Sequence, residues 1–316
     1  MSQRPLVSAI VPTFRRPHLL QRSLGSVLAQ TWRPLELVVV DDESQDNTPQ
    51  VLQDFAAQAK AADVAFQWFT KPNGGPGLAR NFGMQRAKGD YFAFLDDDDS
   101  WFAKKLERQI ARMQQDPKAG AGFTQYVHHG KTDQPKPAPR YMQEGWVFAG
   151  LCAGNTRAHI QTLMITRQAF ELTGGFGTNF QWEDTEFELR LSLHVPFLAL
   201  QEPLTEIMTV PDSISRQAGL EGDLRRDRIK LGLLDELIAN QGRHERFDLS
   251  ATKLLRARIY DEHIKHLIWL GQVAQARATL QEALAACGAQ EVLHRLRGKL
   301  LRARVAGWFG RKLKKP

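Results

Sequence analysis

Short apolar runs alternate with longer amphipathic stretches through the first third of the chain. Leu6–Val11 lacks polar alternation, which predicts a strand buried on both faces. Pro12-Thr13-Phe14-Arg15-Arg16 follows as a basic loop. From about Pro17 to Gln30, Leu20, Leu24, Val27 and Leu28 fall on one helical face. Leu35–Val40 predicts a second strand, ending in Asp41-Asp42-Glu43-Ser44. Asp46-Asn47-Thr48 then caps a helix over about Pro49–Ala59. Val64–Phe69 reads as a third strand, Asn73–Gly77 as a glycine-rich loop and Leu78–Ala87 as a helix. The aromatic run Tyr91–Leu95 predicts a fourth strand, which ends in Asp96, Asp97, Asp98 and Asp99.

Strands alternating with helices define a parallel sheet covered on both faces, and such sheets bind ligands outside the carboxyl ends of their strands. Pro12-Thr13, Asp41-Asp42 and Asp96–Asp99 therefore converge on one rim. Beyond a helix at Lys104–Gln115 the pattern loosens. Ala121–Val127 reads as a strand, and Gly130–Arg140, with three prolines, as a surface loop or flap. Gln161–Thr166 and Phe197–Leu200 are short strand candidates. Between them Trp182-Glu183-Asp184-Thr185 opens a helix running to about Leu193. From Gly222 onward the pattern is helical, over about 223–240, 250–270, 272–286 and 291–306, with Gly271 and Gly288 as breaks between hairpins. The reading is a sheet domain over residues 1–220 and a helical region over 221–316.

At 316 residues, with 42% apolar and 24% charged residues, the chain is an ordinary globular protein rather than a disordered or fibrous one. Its net charge of +7 is uneven: Leu293–Pro316 holds nine Lys or Arg and no acid. There Leu300, Leu301, Val305, Trp308, Phe309 and Leu313 are interspersed with arginines and lysines. Such an end can lie in an anionic lipid interface or pack on the protein with its charges solvated; no nucleic-acid motif accompanies it. Cys152 and Cys287 are far apart and match no metal or redox spacing, which fits a reducing compartment and burial. The first apolar run is too short for a signal segment, and no stretch approaches the roughly 18 apolar residues of a spanning helix. The expected location is the cytoplasm, with peripheral contact at the inner face of the cell membrane. His128-His129, with no acid at ligand spacing, reads as a surface pair.

Four adjacent carboxylates repel one another and are costly to bury without a cation. Hard oxygen ligands suit Mg2+ or Mn2+, which would in turn hold a phosphate-bearing ligand. The alternative is a solvated acidic turn in which one Asp caps the helix starting near Ala103.

Five segments carry a resemblance. They are Val7-Ser8-Ala9-Ile10-Val11-Pro12-Thr13-Phe14, Val39–Thr48, Asn73–Gly83, Leu95–Asp99 and Trp182-Glu183-Asp184. In this order, across about residues 5–215, they resemble the inverting family-2 glycosyltransferases, with Asp96–Asp99 at the DxD element and Glu183-Asp184 at the ED element. The resemblance implies a GT-A fold (Rossmann-like, a mostly parallel sheet with flanking helices) followed here by the helical C-terminal region. It implies a nucleoside-diphosphate-sugar donor, most often uridine- or thymidine-linked. Pro12, Thr13 and Phe14 would line the base pocket, although Phe14 also suits plain core packing. Asp41 would accept the base N3 hydrogen; a strand-end turn is its other use. Arg80 would contact the diphosphate, a surface ion pair being its alternative.

Asp96 would reach the donor ribose or the metal, Asp98 would ligate the metal, and Asp97 occupies the variable middle. Asp99 would orient ligands or cap the next helix. Asp184 would be the base that takes the acceptor proton, with Glu183 beside it and Trp182 as an apolar wall. Both acids also stand where they could cap a helix starting near Thr185. Arg216, in Ser213-Ile214-Ser215-Arg216, is a weaker phosphate candidate. Glu43 departs from the glycine common at that position, which alters the turn after the second strand. The implied activity is hexosyl transfer to a saccharide or glycolipid in cell-envelope polysaccharide synthesis. A non-catalytic sugar-nucleotide-binding module and a nucleotidyltransferase on a related fold are the alternatives.

Overall fold

The computed structural model describes residues 4–129, 136–137, 142–179, 181–209, 219–308 and 313. The chain forms two compact units: residues 1–147 with 155–210, and residues 148–154 with 211–316.

In the first unit, β1 (Val7–Thr13), β2 (Leu35–Asp41), β3 (Ala65–Thr70) and β4 (Tyr91–Phe94) pair in parallel in the order β3-β2-β1-β4. The first two are buried at every position, Ser8 and Glu36 included, as strands covered on both faces are. The helices α1 (Pro17–Leu28), α2 (Thr48–Ala61) and α3 (Pro76–Arg86) connect them. Because β2 and β3 lie on one side of β1 and β4 on the other, the crevice between β1 and β4 is the topological switch point. Val11, Leu24, Val39, Leu52 and Phe55 belong to the core of this unit. Cys152 and Cys287 are both buried and free.

The sheet continues beyond β4 with β8 (Met164–Thr166), β6 (Ala121–His129), β9 (Phe197–Met208) and the two-residue β5 (Ser100–Trp101), while β7 (Lys136–Pro137) pairs with β6. Here the pattern misled in identifiable ways. The strand expected to stop at Leu200 runs on to Met208. Its register against β6 slips twice between Thr124 and Tyr126, and this irregularity takes up Gln201 and Glu202, then Leu204, without ending the pairing. The strand expected over Gln161–Thr166 is a 3-10 turn at Ile160–Thr162 followed by β8. The flap Gly130–Arg140 contains β7, and its other residues lie outside the described set. Two short helices, α5 (Phe148–Ala153) and α6 (Arg167–Thr173), escaped the pattern altogether. The connection after β4 leads into α4 (Lys105–Gln115), whose cap residue, Lys104, makes no side-chain cap bond, so none of the four Asp residues caps it.

The second unit contains α5 and four long helices, α8 (Gly219–Gln241), α9 (Leu249–Leu270), α10 (Val273–Cys287) and α11 (Glu291–Trp308). Asp248 caps α9 by accepting from Ala251 N at 2.9 Å, and Gly271 ends it in the left-handed conformation. Ile264, Leu267, Leu280, Leu293, Leu296 and Leu300 form its core. Arg258 of α9 donates to the Cys152 carbonyl at 2.9 Å, which ties α5 to this unit.

Candidate active site

The carboxyl ends of β1 and β4 bring the acids to the switch point. Leu95 N donates to Ile10 O at 3.1 Å, and past that bond the chain turns through Asp96–Asp99. Thr13 Oγ1 donates to Asp97 Oδ2 at 2.8 Å, spanning the crevice. Oxygens of Asp96, Asp98 and Asp99 lie within 4.8 Å of one another. Asp99 is buried and accepts Met208 N from β9 at 2.8 Å. Burial pushes the Asp97 carboxyl up to about 7 against the opposing pull of Arg16 and Thr13, with Asp98 and Asp96 adding to the rise. Asp98 and Asp99 are raised for the same first reason, Asp96 being the next contributor to each.

Two guanidinium groups answer these charges. Arg16, the residue before α1, donates from Nη1 to Asp98 Oδ2 at 2.8 Å and to Asp97 Oδ1 at 3.3 Å. Arg80, 2% exposed in α3, donates from Nη2 to Asp96 Oδ1 at 2.5 Å. Its Nη1 lies 3.5 Å from Glu183 Oε1 and, like its Nε, has no hydrogen-bond partner. Arg80 is thus a buried link between the acid cluster and Glu183 rather than part of a surface pair. Gln161 Nε2 donates to the second oxygen of Asp96 at 2.5 Å, while its own Oε1 is buried without a partner. With all four Asp ionised the cluster carries −4 + 2 = −2 beside Arg16 and Arg80. Three hard carboxylates within 4.8 Å, outnumbering the cations beside them, fit Mg2+ or Mn2+.

Helix α7 (Glu183–His194) supplies the other wall. Its cap residue is Trp182, at φ +66°, so Glu183 and Asp184 occupy the first turn instead of capping a helix at Thr185. Phe187, one turn on, is fully buried and stacks on Phe176 at 4.1 Å, with Phe94 of β4 edge-on to both. That aromatic cluster fixes the start of α7 beside β4. Glu183 is raised to about 7, first by burial, with Arg80 opposing and Asp184 adding. Asp184 is half-buried, and its bonds among the described residues are to Thr185 N at 2.7 Å and Thr185 Oγ1 at 3.4 Å. A first-turn carboxylate also gains from the helix N-terminus.

The remaining predicted residues are placed as follows. Pro12 and Thr13 are buried opposite Val40 and Asp41. Phe14 is half-buried beneath the Arg15 guanidinium, 4.8 Å from its ring centre. Asp41 is fully buried and accepts Ser44 N at 3.0 Å and Thr70 Oγ1 at 3.3 Å, the contacts of a strand-end turn. Asp42 closes the glycine-rich loop by accepting Lys71 Nζ at 2.6 Å and Gly75 N at 2.7 Å. Gly75 has φ +87°, which favours glycine. Glu43 adopts φ +66° without being glycine, and its Oε2 accepts Asn73 N at 3.1 Å. Arg216 lies outside the described residues.

His128 and His129 are not a plain surface pair. They end β6 half-buried, His129 Nε2 3.0 Å from Glu206 Oε1 and His128 Nε2 3.3 Å from Thr209 Oγ1. Sequence reasoning missed Arg16, Gln161 and His159. The His159 Nε2 is buried without a partner, and burial, then Arg157, lowers its ring to about 4. The available signal was a polar residue set in an apolar run, as Gln161 is in Ile160–Met164.

The family model for Glycosyl transferase family 2 matches residues 8–179, and the chain belongs to that family. The UDP-Glc:alpha-D-GlcNAc-diphosphoundecaprenol beta-1,3-glucosyltransferase WfgD of Escherichia coli is 40% identical over 109 residues, 34% of this chain and 41% of WfgD. The proposed teichuronic acid biosynthesis glycosyltransferase TuaG of Bacillus subtilis is 37% identical over 110 residues, 35% of this chain and 42% of TuaG. The chain thus spans about two fifths of the length of these relatives. Among solved structures, S. aureus TarS 1-349 in complex with UDP-GlcNAc matches with a TM-score of 0.66 at 17% identity, over 95% of this chain and 87% of that one. The Pyrobaculum calidifontis mannosyltransferase PcManGT, in complex with GDP-Man and Mn2+, matches at 0.61 and 19% identity, over 98% and 89%. At these identities the likeness shows the fold, the mostly parallel sheet with flanking helices that the resemblance implied.

Proposed function

We propose that the chain is a metal-dependent, inverting glycosyltransferase of hexosyl type. It moves a sugar from a uridine or thymidine diphosphate donor to a hydroxyl of a saccharide or lipid-linked acceptor in cell-envelope polysaccharide synthesis, at the cytoplasmic face of the membrane. The observation that carries the reading is the convergence, at one switch point, of an under-compensated acid cluster and a helix start bearing Glu183 and Asp184. The donor and acceptor in the name of WfgD, and the UDP-GlcNAc bound by TarS, support the substrate classes. Among the described residues no helix is long and apolar enough to cross a membrane.

Asp96 and Asp98 would hold Mg2+ or Mn2+, with Asp99 behind them. Such an ion supplies Lewis-acid stabilisation of the departing nucleoside diphosphate. Thr13 fixes Asp97 and with Pro12 and Phe14 lines the base pocket. Asp41 keeps two acceptor lone pairs for the base N3 hydrogen beyond those Ser44 and Thr70 use. Arg80 holds Asp96 and Glu183 in fixed relation, and its Nε, which has no hydrogen-bond partner, is a donor for developing phosphate charge. Asp184 takes the proton of the acceptor hydroxyl as that oxygen attacks from the face opposite the leaving group. Trp182 supplies an apolar wall for the sugar, and Arg216 is a weaker phosphate contact.

A thermal-shift panel of nucleoside diphosphates and their sugars, with and without Mn2+, tests this. A ligand that binds only the native state stabilises it by about 2.7 kcal/mol at a hundredfold excess over its Kd. A metal-dependent shift with one nucleotide class is expected. GDP-sugars belong in the panel because PcManGT was solved with GDP-Man. No shift with any member would contradict the reading; binding without turnover would favour the non-catalytic module.

A further inference from the structure

Helix α11 carries two apolar stripes, and the bundle uses one. Leu293, Leu296, Leu300 and Ala303 are buried in the core of the second unit, and Leu313 packs against that core. Leu301 and Val305 point elsewhere: they are 63% and 40% exposed and stand four residues apart. Among the described residues they are the one pair of exposed large apolar side chains at one-turn spacing on a single helix. At about 100° per residue they lie roughly 120–160° around the helix from the middle of the buried stripe.

Arginines border this second stripe on both sides. The same helical geometry puts Arg297 and Arg304 at one edge and Arg295 and Arg302 at the other, all exposed. The acid of this helix, Glu291, pairs with Arg295, and no acid follows it in the chain. Arg297 and Arg302 have no partner among the described residues. Long basic side chains flanking a narrow apolar stripe can reach headgroup phosphates while the stripe enters the acyl boundary.

We infer that this face of α11 docks the protein on an anionic phospholipid surface. A second copy of the chain is a poorer occupant, since two like-charged faces would meet over only two apolar side chains from each copy, far below the roughly 1,000 Å2 of a stable interface. A nucleic acid would engage the arginines but leave Leu301 and Val305 against phosphate and water. The inference gives the proposed transferase a means of reaching a lipid-linked acceptor; it rests on that reading for its purpose and not for its geometry.

Flotation of the full-length chain tests it, with phosphatidylcholine vesicles either alone or mixed with phosphatidylglycerol, and with no lipid-linked acceptor present. Binding to the anionic vesicles alone is expected, weakening several-fold as salt rises. L301S/V305S and R297Q/R302Q should each lower the bound fraction at least about fivefold while leaving the melting temperature and any nucleotide shift unchanged. Flotation of both variants like the unaltered chain, or equal binding to neutral vesicles, would overturn the proposal, as would failure of the unaltered chain to float. Binding to RNA that depends on these arginines, without flotation, would assign the face to nucleic acid instead. The nucleotide shift, read separately on the same samples, reports on the transferase reading, so either can fail alone.

Discussion

The parallel sheet buries carboxylates at both of its ends and treats them in opposite ways. At the amino end, Glu36 of β2 accepts the Ser8 hydroxyl, Lys88 N at 2.5 Å and Gly89 N at 2.9 Å. Gly89 allows this closure, because a Cβ there would lie 2.2 Å from Ser8 Oγ. At the carboxyl end, four carboxylates share two guanidinium groups, three of them are raised by burial, and Gln161 Oε1 is left without a partner. A carboxylate whose bonds are completed by its own chain is structure. A cluster of four carboxylates that share two guanidinium groups, three of them held up by burial, is poised for a cation that is not part of the chain.

If the two ends differ in this way, substitutions should separate stability from function. The largest effect is expected at Asp184. Replacement by Asn removes the proton acceptor and should lower turnover about 10^2- to 10^4-fold in a transfer assay, with the melting temperature unchanged. An unaltered rate would remove Asp184 from the chemistry. Next in size is Glu36→Ala, which strands the Ser8 hydroxyl and Lys88 N and leaves Gly89 N with Ser8 Oγ as its acceptor. It should cost about 3–4 kcal/mol in denaturant unfolding while leaving nucleotide affinity intact.

Glu183 gives the comparison a pH signature. Its carboxyl, ordinarily near 4.5, is raised to about 7 in the fold. The folded protein therefore keeps a proton that the unfolded chain has released. That contribution is fully present below pH 4.5 and is lost as pH rises through 7, on the order of 3 kcal/mol in all. Gln mimics the protonated form, so melting curves of Glu183→Gln should pull above the unaltered protein between pH 5 and 8; parallel curves would refute the shift. The smallest effect concerns Arg16, which holds Asp98 Oδ2. Arg16→Gln should tighten Mn2+ binding about tenfold, or ~1.4 kcal/mol, by removing a competing cation. Weaker binding would make Arg16 a ligand contact instead.

The sequence shows acids but not their partners, and that limit explains what was legible. The mostly apolar runs of β1 and β2 and the tetra-Asp turn announce the sheet and the rim of the site. The 12-residue β9 was hidden because its irregular register against β6 exists only in the pairing. Phe148–Gly154 joins the second unit through contacts with residues a hundred positions away, such as Cys152 with Arg258. Asp41, Asp42 and Asp98 look alike in the chain. The first accepts from Ser44 and Thr70, the second from Lys71 and the Gly74-Gly75 amides, and the third from the Arg16 guanidinium and a backbone N–H. Arg16 and Gln161 reach the acids across 82 and 65 residues of chain, beyond any local pattern.

The central claim is that the carboxyl-end cluster is built for a divalent cation and a nucleoside diphosphate. Calorimetric titration of Mn2+ with UDP into the unaltered chain and into Asp98→Ala, with melting temperatures recorded for both, tests it most directly. The account predicts saturable, nucleotide-linked metal binding that Asp98→Ala loses while melting no lower than the unaltered protein. An Asp98→Ala variant that melts well below it, as Glu36→Ala should, and still binds Mn2+ with equal affinity would contradict the account.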